Sequence, residues 1–181
     1  VNPQDAEALP GNGQNSGGRL LARLGRARPS LRLVLAGAAL WGLAMGGSAL
    51  FNLTLAAWEA PEKLRTVTAL FAAGGAFAFP PGLWLAGFLS QGRRADAAFA
   101  AALLSFAVAT ICVTGAFYAL QYRSYYAEWH AAAFTVTWAF QLVFTGLVAL
   151  YQFAVLGVRL FFPLGFAALF VAALWFARRS H

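Results

Sequence analysis

The sequence predicts an all-α integral membrane protein, a bundle of about five transmembrane helices, and three observations carry that expectation. Hydrophobic residues make up 61% of the 181-residue chain and charged residues 10%, with mean hydropathy +0.66, against about 25% charged residues in ordinary soluble domains. The apolar residues fall into runs close to the ~20 residues that one bilayer-spanning helix requires. The charges sit in short joints between those runs. Helices are the required form, because backbone polar groups in lipid must find partners within their own segment.

Residues 1–30 read as a disordered, basic, cytoplasmic tail ahead of a transmembrane domain over residues 31–181. The tail is rich in Asn, Gln, Gly, Ser and Pro and cannot bury enough apolar surface to offset chain entropy. Its arginines Arg19, Arg23, Arg26 and Arg28, with Arg32 just beyond, suit anionic lipid headgroups at the cytoplasmic face. Leu20, Leu21 and Leu24 among them leave open a short helix lying on the headgroups.

The first span, 33–58, exceeds the roughly 7–15 residues of a signal-peptide core and is expected to be retained. It carries Gly42-x3-Gly46, a spacing that lets two backbones approach closely, and one amide, Asn52, expected to pack or hydrogen bond. The second span, 66–89, contains Pro80-Pro81-Gly82. The two prolines cannot donate to the carbonyls of Ala76 and Phe77, so a kink or break is expected there. A broken helix can expose carbonyls to an ion or substrate, whereas a kink needs only a neighbouring side chain or water to satisfy them.

The third span, 97–120, holds the only cysteine, Cys112, which excludes an internal disulfide or a CxxC site. The joint that follows concentrates Tyr122, Arg123, Tyr125, Tyr126, Glu128, Trp129 and His130. Such a cluster forms an aromatic belt at a membrane surface, or a docking surface for a partner, since Tyr, Trp and Arg dominate binding hot spots. In the fourth span, 131–155, Thr137, Gln141, Thr145 and Gln152 fall within an arc of about 80° at ~100° per residue. That polar stripe should avoid lipid, either gluing helices together or lining a polar pathway.

The fifth span, 160–177, is the shortest, and a four-span chain with a re-entrant or interfacial last segment is the alternative. Cations are retained on the cytoplasmic side. With the amino terminus inside and five spans, Arg19, Arg23, Arg26, Arg28, Arg32, Arg93, Arg94 and Arg159 lie inside, and Lys63, Arg65, Arg123, Arg178 and Arg179 outside. Arg178 and Arg179 are the misfit, and a re-entrant last segment would bring them inside.

No carboxylate lies at mid-span, which argues against a proton-coupled carrier. The two histidines, His130 and His181, flank spans without facing each other, so a bis-histidine haem is not expected and no metal site is assigned. No cofactor is specified, and the basic residues do not form the aromatic-interleaved face that nucleic acid requires. The expectation is a non-catalytic accessory or assembly subunit of a larger complex in a bacterial inner membrane, with other membrane subunits as partners. The alternatives are a small homo-oligomeric channel or transporter, and a lipid- or quinone-binding protein or enzyme using Tyr122, Tyr125, Glu128 and His130.

Overall fold

A computed structural model describes residues 29–56 and 60–179. Arg19, Arg23, Arg26, Arg28, Trp58 and His181 lie outside the described residues. Those described form helices and joints with no strand: α1 Leu31–Leu55, α2 Pro61–Ser90, α3 Ala95–Tyr126, α4 Val136–Gln152 and α5 Leu164–Arg179. A 3₁₀ turn, Ala127–Trp129, follows α3, and a π turn, Phe153–Gly157, with a 3₁₀ turn, Val158–Phe161, follows α4. By length and composition four stretches can cross a membrane: Leu31–Leu55, Pro61–Ser90, Ala95–Trp129 and Val136–Phe161.

Local chemistry sets the ends of these helices. Pro61 opens α2 at a position where its missing N–H costs nothing, with Glu62 beside the positive helix end. Gly92, at φ +70°, makes the reversal into α3 that a side chain would strain. Thr135 caps α4, its hydroxyl accepting from the Trp138 N–H.

Two expectations change. The prolines do not break the second span: α2 is helical through Pro80, Pro81 and Gly82. The turn is held by packing, since Phe79 packs against both Trp41 and Phe106 and buried Gly82 faces the Phe106 ring. Tyr122–Tyr126, expected in a joint, form the last turn and a half of α3, because nothing before Ala127 interrupts the helical ladder. Conversely the fourth and fifth helices start later than the apolar runs, at Val136 and Leu164. Phe134 takes a left-handed backbone at φ 67°, and Pro163 follows Phe162 through a cis peptide.

The first three helices form an antiparallel layer packed through small residues. A methyl group placed on Gly42 would lie 2.8 Å from the Ala72 carbonyl oxygen, and one on Gly46 2.7 Å from the Ala72 Cβ. Gly75 lies against Met45, and Gly74 against Thr114 of α3. Between helices this apolar, small residues allow close backbone approach and the dispersion contacts that come with it. Trp41 adds a buried cross-link, its indole N–H donating to the Thr110 hydroxyl at 3.0 Å. The core comprises Trp41, Met45, Phe71, Phe79, Phe106, Phe153 and Phe161, with buried alanines between them.

The path after α4 decides the architecture. α4 runs antiparallel to α3, with Gln152 at Tyr118 and Phe153 against Gly115. The chain then leaves the α-helical path, and the carbonyls of Leu160 and Phe162 reach Ser48 and Asn52, in the carboxy-terminal third of α1. From there α5 descends along α3: the Gly165 N–H meets Ser48, and Phe170 meets Phe99, in the second turn of α3. α5 therefore ends where α1 begins, and Arg178 and Arg179 lie at the same end of the bundle as Arg32, Arg93 and Arg94. At 16 residues, α5 is about 24 Å long, short of a ~30 Å hydrocarbon core. In space α4 and α5 follow one another down the same side of α3 as two halves of one interrupted path.

Candidate functional site

Three neighbourhoods gather the polar and aromatic side chains, all towards the end of the bundle where α1 finishes. The first is the seam between α3 and α4. α4 buries the row Trp138, Gln141, Thr145, Ala149 and Gln152 wholly or in part, the three-to-four-residue spacing of one helix face. Each amide and hydroxyl on it meets a partner within the chain. Gln141 Oε1 accepts from the Ala131 N–H at 2.8 Å, Thr145 Oγ1 lies 3.3 Å from His130 Nε2, and Gln152 Oε1 accepts from the Tyr118 hydroxyl at 3.3 Å. Thr137 is exposed and stands apart from them. The seam fastens the joint 127–135 against α4, an intramolecular use of residues that sequence alone left open to a partner subunit.

The second neighbourhood is aromatic. Tyr118, Tyr122 and Tyr126 stack up one face of α3, with centroids 6.4 Å and 4.8 Å apart, and Trp129 contacts both Tyr125 and Tyr126. The Arg123 guanidinium sits 5.6 Å above the Trp138 ring, a cation–π contact that holds α4 to α3. Glu128 is exposed on the 3₁₀ turn. Between this cluster and Phe144, Thr145 and Val148 lies a cleft of about 330 Å³ whose polar groups include His130. Tyr122 and His130 of the expected interfacial site thus meet in one place, whereas Tyr125 and Glu128 point elsewhere. Among the described residues no three His, Cys, Asp or Glu side chains cluster.

The third neighbourhood is the interruption between α4 and α5. Ser48 donates to the Leu160 carbonyl at 2.9 Å and accepts from the Gly165 N–H at 3.2 Å. The Asn52 amide donates to the carbonyls of Leu160 at 3.2 Å and Phe162 at 2.7 Å. Backbone carbonyls released where a helix breaks in an apolar setting must be satisfied from a neighbour. Here α1 supplies that partner. Beside the interruption opens a cleft of about 670 Å³, reached by Asn52, Tyr118 and Arg159 but otherwise mostly apolar. Arg159, which the five-span reading grouped with the amino-terminal cations, lies beside Asn52 instead.

Sequence reasoning expected Asn52 to pack or hydrogen bond, as it does, but it did not identify the acceptors and passed over Ser48. The available signal was Pro163-Leu164-Gly165 inside an apolar run, a pair of helix interrupters that implies freed carbonyls and a donor to meet them. The prolines singled out instead, Pro80 and Pro81, lie within an intact helix. A smaller cavity of about 160 Å³ sits deeper, walled by Trp41, Met45, Phe106, Phe161 and Leu169, and has no chemistry beyond the Thr110 hydroxyl already bound by Trp41. Arg32 is exposed at the opposite end of the bundle, at the start of α1. No protein-family model, curated protein or solved structure matches this chain.

Proposed function

We propose that the chain is a non-catalytic accessory subunit of a larger membrane complex, and that its partner packs on the outer face of α4. The supporting observation is the division of α4 into two faces. Its buried polar groups are directed inward and partnered within the chain, while Phe140, Val143, Phe144, Leu147 and Tyr151 form an outward apolar row, each more than half exposed. Only 11% of the most apolar part of Val136–Phe161 is buried, against 44% for α2. Tyr125, Trp129 and Phe134 add further largely exposed aromatic surface at the same end of α4. Aromatic residues of this kind supply most of the energy at interface centres.

A pore along the bundle axis is disfavoured by its contents, since Trp41, Met45, Phe71, Phe79 and Phe106 fill it. A reaction centre is disfavoured by the placement of the chemical groups, which are engaged in holding the chain together. In this reading the protein resides in a bacterial cytoplasmic membrane with its amino terminus inside. Arg32, Arg93, Arg94, Arg178 and Arg179 then share the cytoplasmic end, in keeping with the retention of cations there, and Lys63, Arg65, Arg123 and Arg159 lie towards the outside.

The test is affinity purification from native membranes in mild detergent, with identification of every stoichiometric partner. Phe140→Ala combined with Phe144→Ala and Leu147→Ala is expected to lose the partner while inserting normally, because these side chains touch little within the chain. Tyr125→Ala with Trp129→Ala should weaken recovery less. Recovery of the wild type as a homo-oligomer alone, or retention of the partner by the triple variant, would count against the proposal.

A further inference from the structure

We propose that the cleft beside the α4–α5 interruption binds one anionic phospholipid, its phosphate on Arg159 and an acyl chain along the apolar wall. Leu53, Val67, Phe71, Leu156 and Phe162 form that wall, drawn from α1, α2 and the interruption itself. The volume, about 670 Å³, falls within the ~300–1,000 Å³ usual for small-molecule sites. Its size and lining suit a hydrocarbon chain better than a polar solute.

Arg159 supplies the second half of the argument. Among the described residues the ion pairs are Arg65 with Glu62 and Arg94 with Asp96, and no described side chain hydrogen bonds to the Arg159 guanidinium. Arg159 is exposed at the cleft, so its guanidinium can reach a headgroup, and guanidinium matches a phosphate through two parallel N–H donors. The other polar groups of the cleft are committed. Asn52 spends its amide donors on carbonyls, and the Tyr118 hydroxyl donates to Gln152. Arg159 is thus the donor left for a ligand. Lys63 and Arg65 at the same end of the bundle, against Glu62, keep the surroundings positive and favour a lipid with net negative charge over a zwitterionic one.

The experiment is a titration of the full chain in detergent with phosphatidylglycerol, counting bound lipids by native mass spectrometry, with phosphatidylcholine in parallel. One phosphatidylglycerol is expected to stay bound under conditions that strip phosphatidylcholine. Arg159→Gln, a substitution at an exposed residue, should weaken it about tenfold, the factor that corresponds to ~1.4 kcal/mol. Val67→Trp should block it with the charge unchanged, and Lys63→Gln should weaken it less than Arg159→Gln does. Soluble glycerol phosphate should fail to displace the lipid. The proposal is overturned if Arg159→Gln binds as the wild type does, if phosphatidylcholine competes equally, or if glycerol phosphate displaces the lipid and so reveals a plain phosphate site.

Discussion

Gly42→Val is expected to destabilise the bundle by about 2–3 kcal/mol, the upper range for forcing added atoms into a packed interior, whereas Gly47→Val is expected to change stability by less than about 0.5 kcal/mol, as exposed substitutions usually do. The contrast rests on what each new Cβ meets. At Gly42 it would lie 2.8 Å from the Ala72 carbonyl oxygen and 3.1 Å from the Ala76 Cβ. A backbone oxygen cannot rotate out of the way, so α1 and α2 would have to separate along their length. At Gly47, five residues on and facing outward, nothing lies within 4 Å. Both substitutions impose the same helix-propensity change, which cancels in the comparison. Reversible unfolding in mixed micelles, followed by tryptophan fluorescence, measures the difference. Separation at Gly42 should also break the Trp41–Thr110 hydrogen bond, since Trp41 is the adjacent residue. Equal stability of the two variants would mean that α1 and α2 are not packed in this register.

Asn52→Leu combined with Ser48→Ala is expected to cost about 2–4 kcal/mol and to loosen α5 selectively. Four hydrogen bonds join these two side chains to the backbone around the interruption, and in membrane proteins each such bond contributes ~0.6 kcal/mol on average and up to ~1.7. The double variant also leaves the Leu160 and Phe162 carbonyls without donors, a cost that falls on the joint rather than on α1, whose own ladder is intact. Amide exchange should therefore accelerate around Gly165 and along α5, with α1 and α2 protected as before. Ser48→Ala alone should expose the Gly165 N–H and leave the Phe162 carbonyl bound. Uniform acceleration across all helices would indicate general destabilisation and remove the latch role.

Much of the fold was legible because lipid allows few solutions. Long apolar runs had to be helices, and the glycine spacing Gly42-x3-Gly46 pointed to close backbone packing, which α1 makes with Ala72 of α2. What composition could not reveal was direction. The segments 131–155 and 160–177 both read as apolar runs, and apolar length says nothing of where the second lies relative to the first. The deciding information is tertiary: Ser48 and Asn52 of α1 bind carbonyls more than a hundred residues away, and Phe170 meets Phe99. Helix continuity at Pro80-Pro81 was likewise set by packing, since Phe79 and Gly82 are clamped by Trp41 and Phe106.

The site was legible in residue type more than in role. Gln141, Thr145 and Gln152 lie on a common face as their spacing implies, yet only the fold shows that they meet Ala131, His130 and Tyr118. Arg159 counted in sequence as one more cytoplasmic cation. Its position beside Asn52 follows from the interruption, which the charge pattern does not encode.

The return of α5 to the end where α1 begins is the feature on which the architecture depends, and sidedness of single cysteines tests it most directly. With Cys112 replaced by alanine, Arg32→Cys, Lys63→Cys and Arg179→Cys would each be labelled with a membrane-impermeant maleimide in sealed vesicles of known orientation. Arg32→Cys and Arg179→Cys are expected to react from the same side and Lys63→Cys from the other, whichever way the protein inserts. Labelling of Arg179→Cys together with Lys63→Cys would make α4 and α5 two complete crossings and contradict the account.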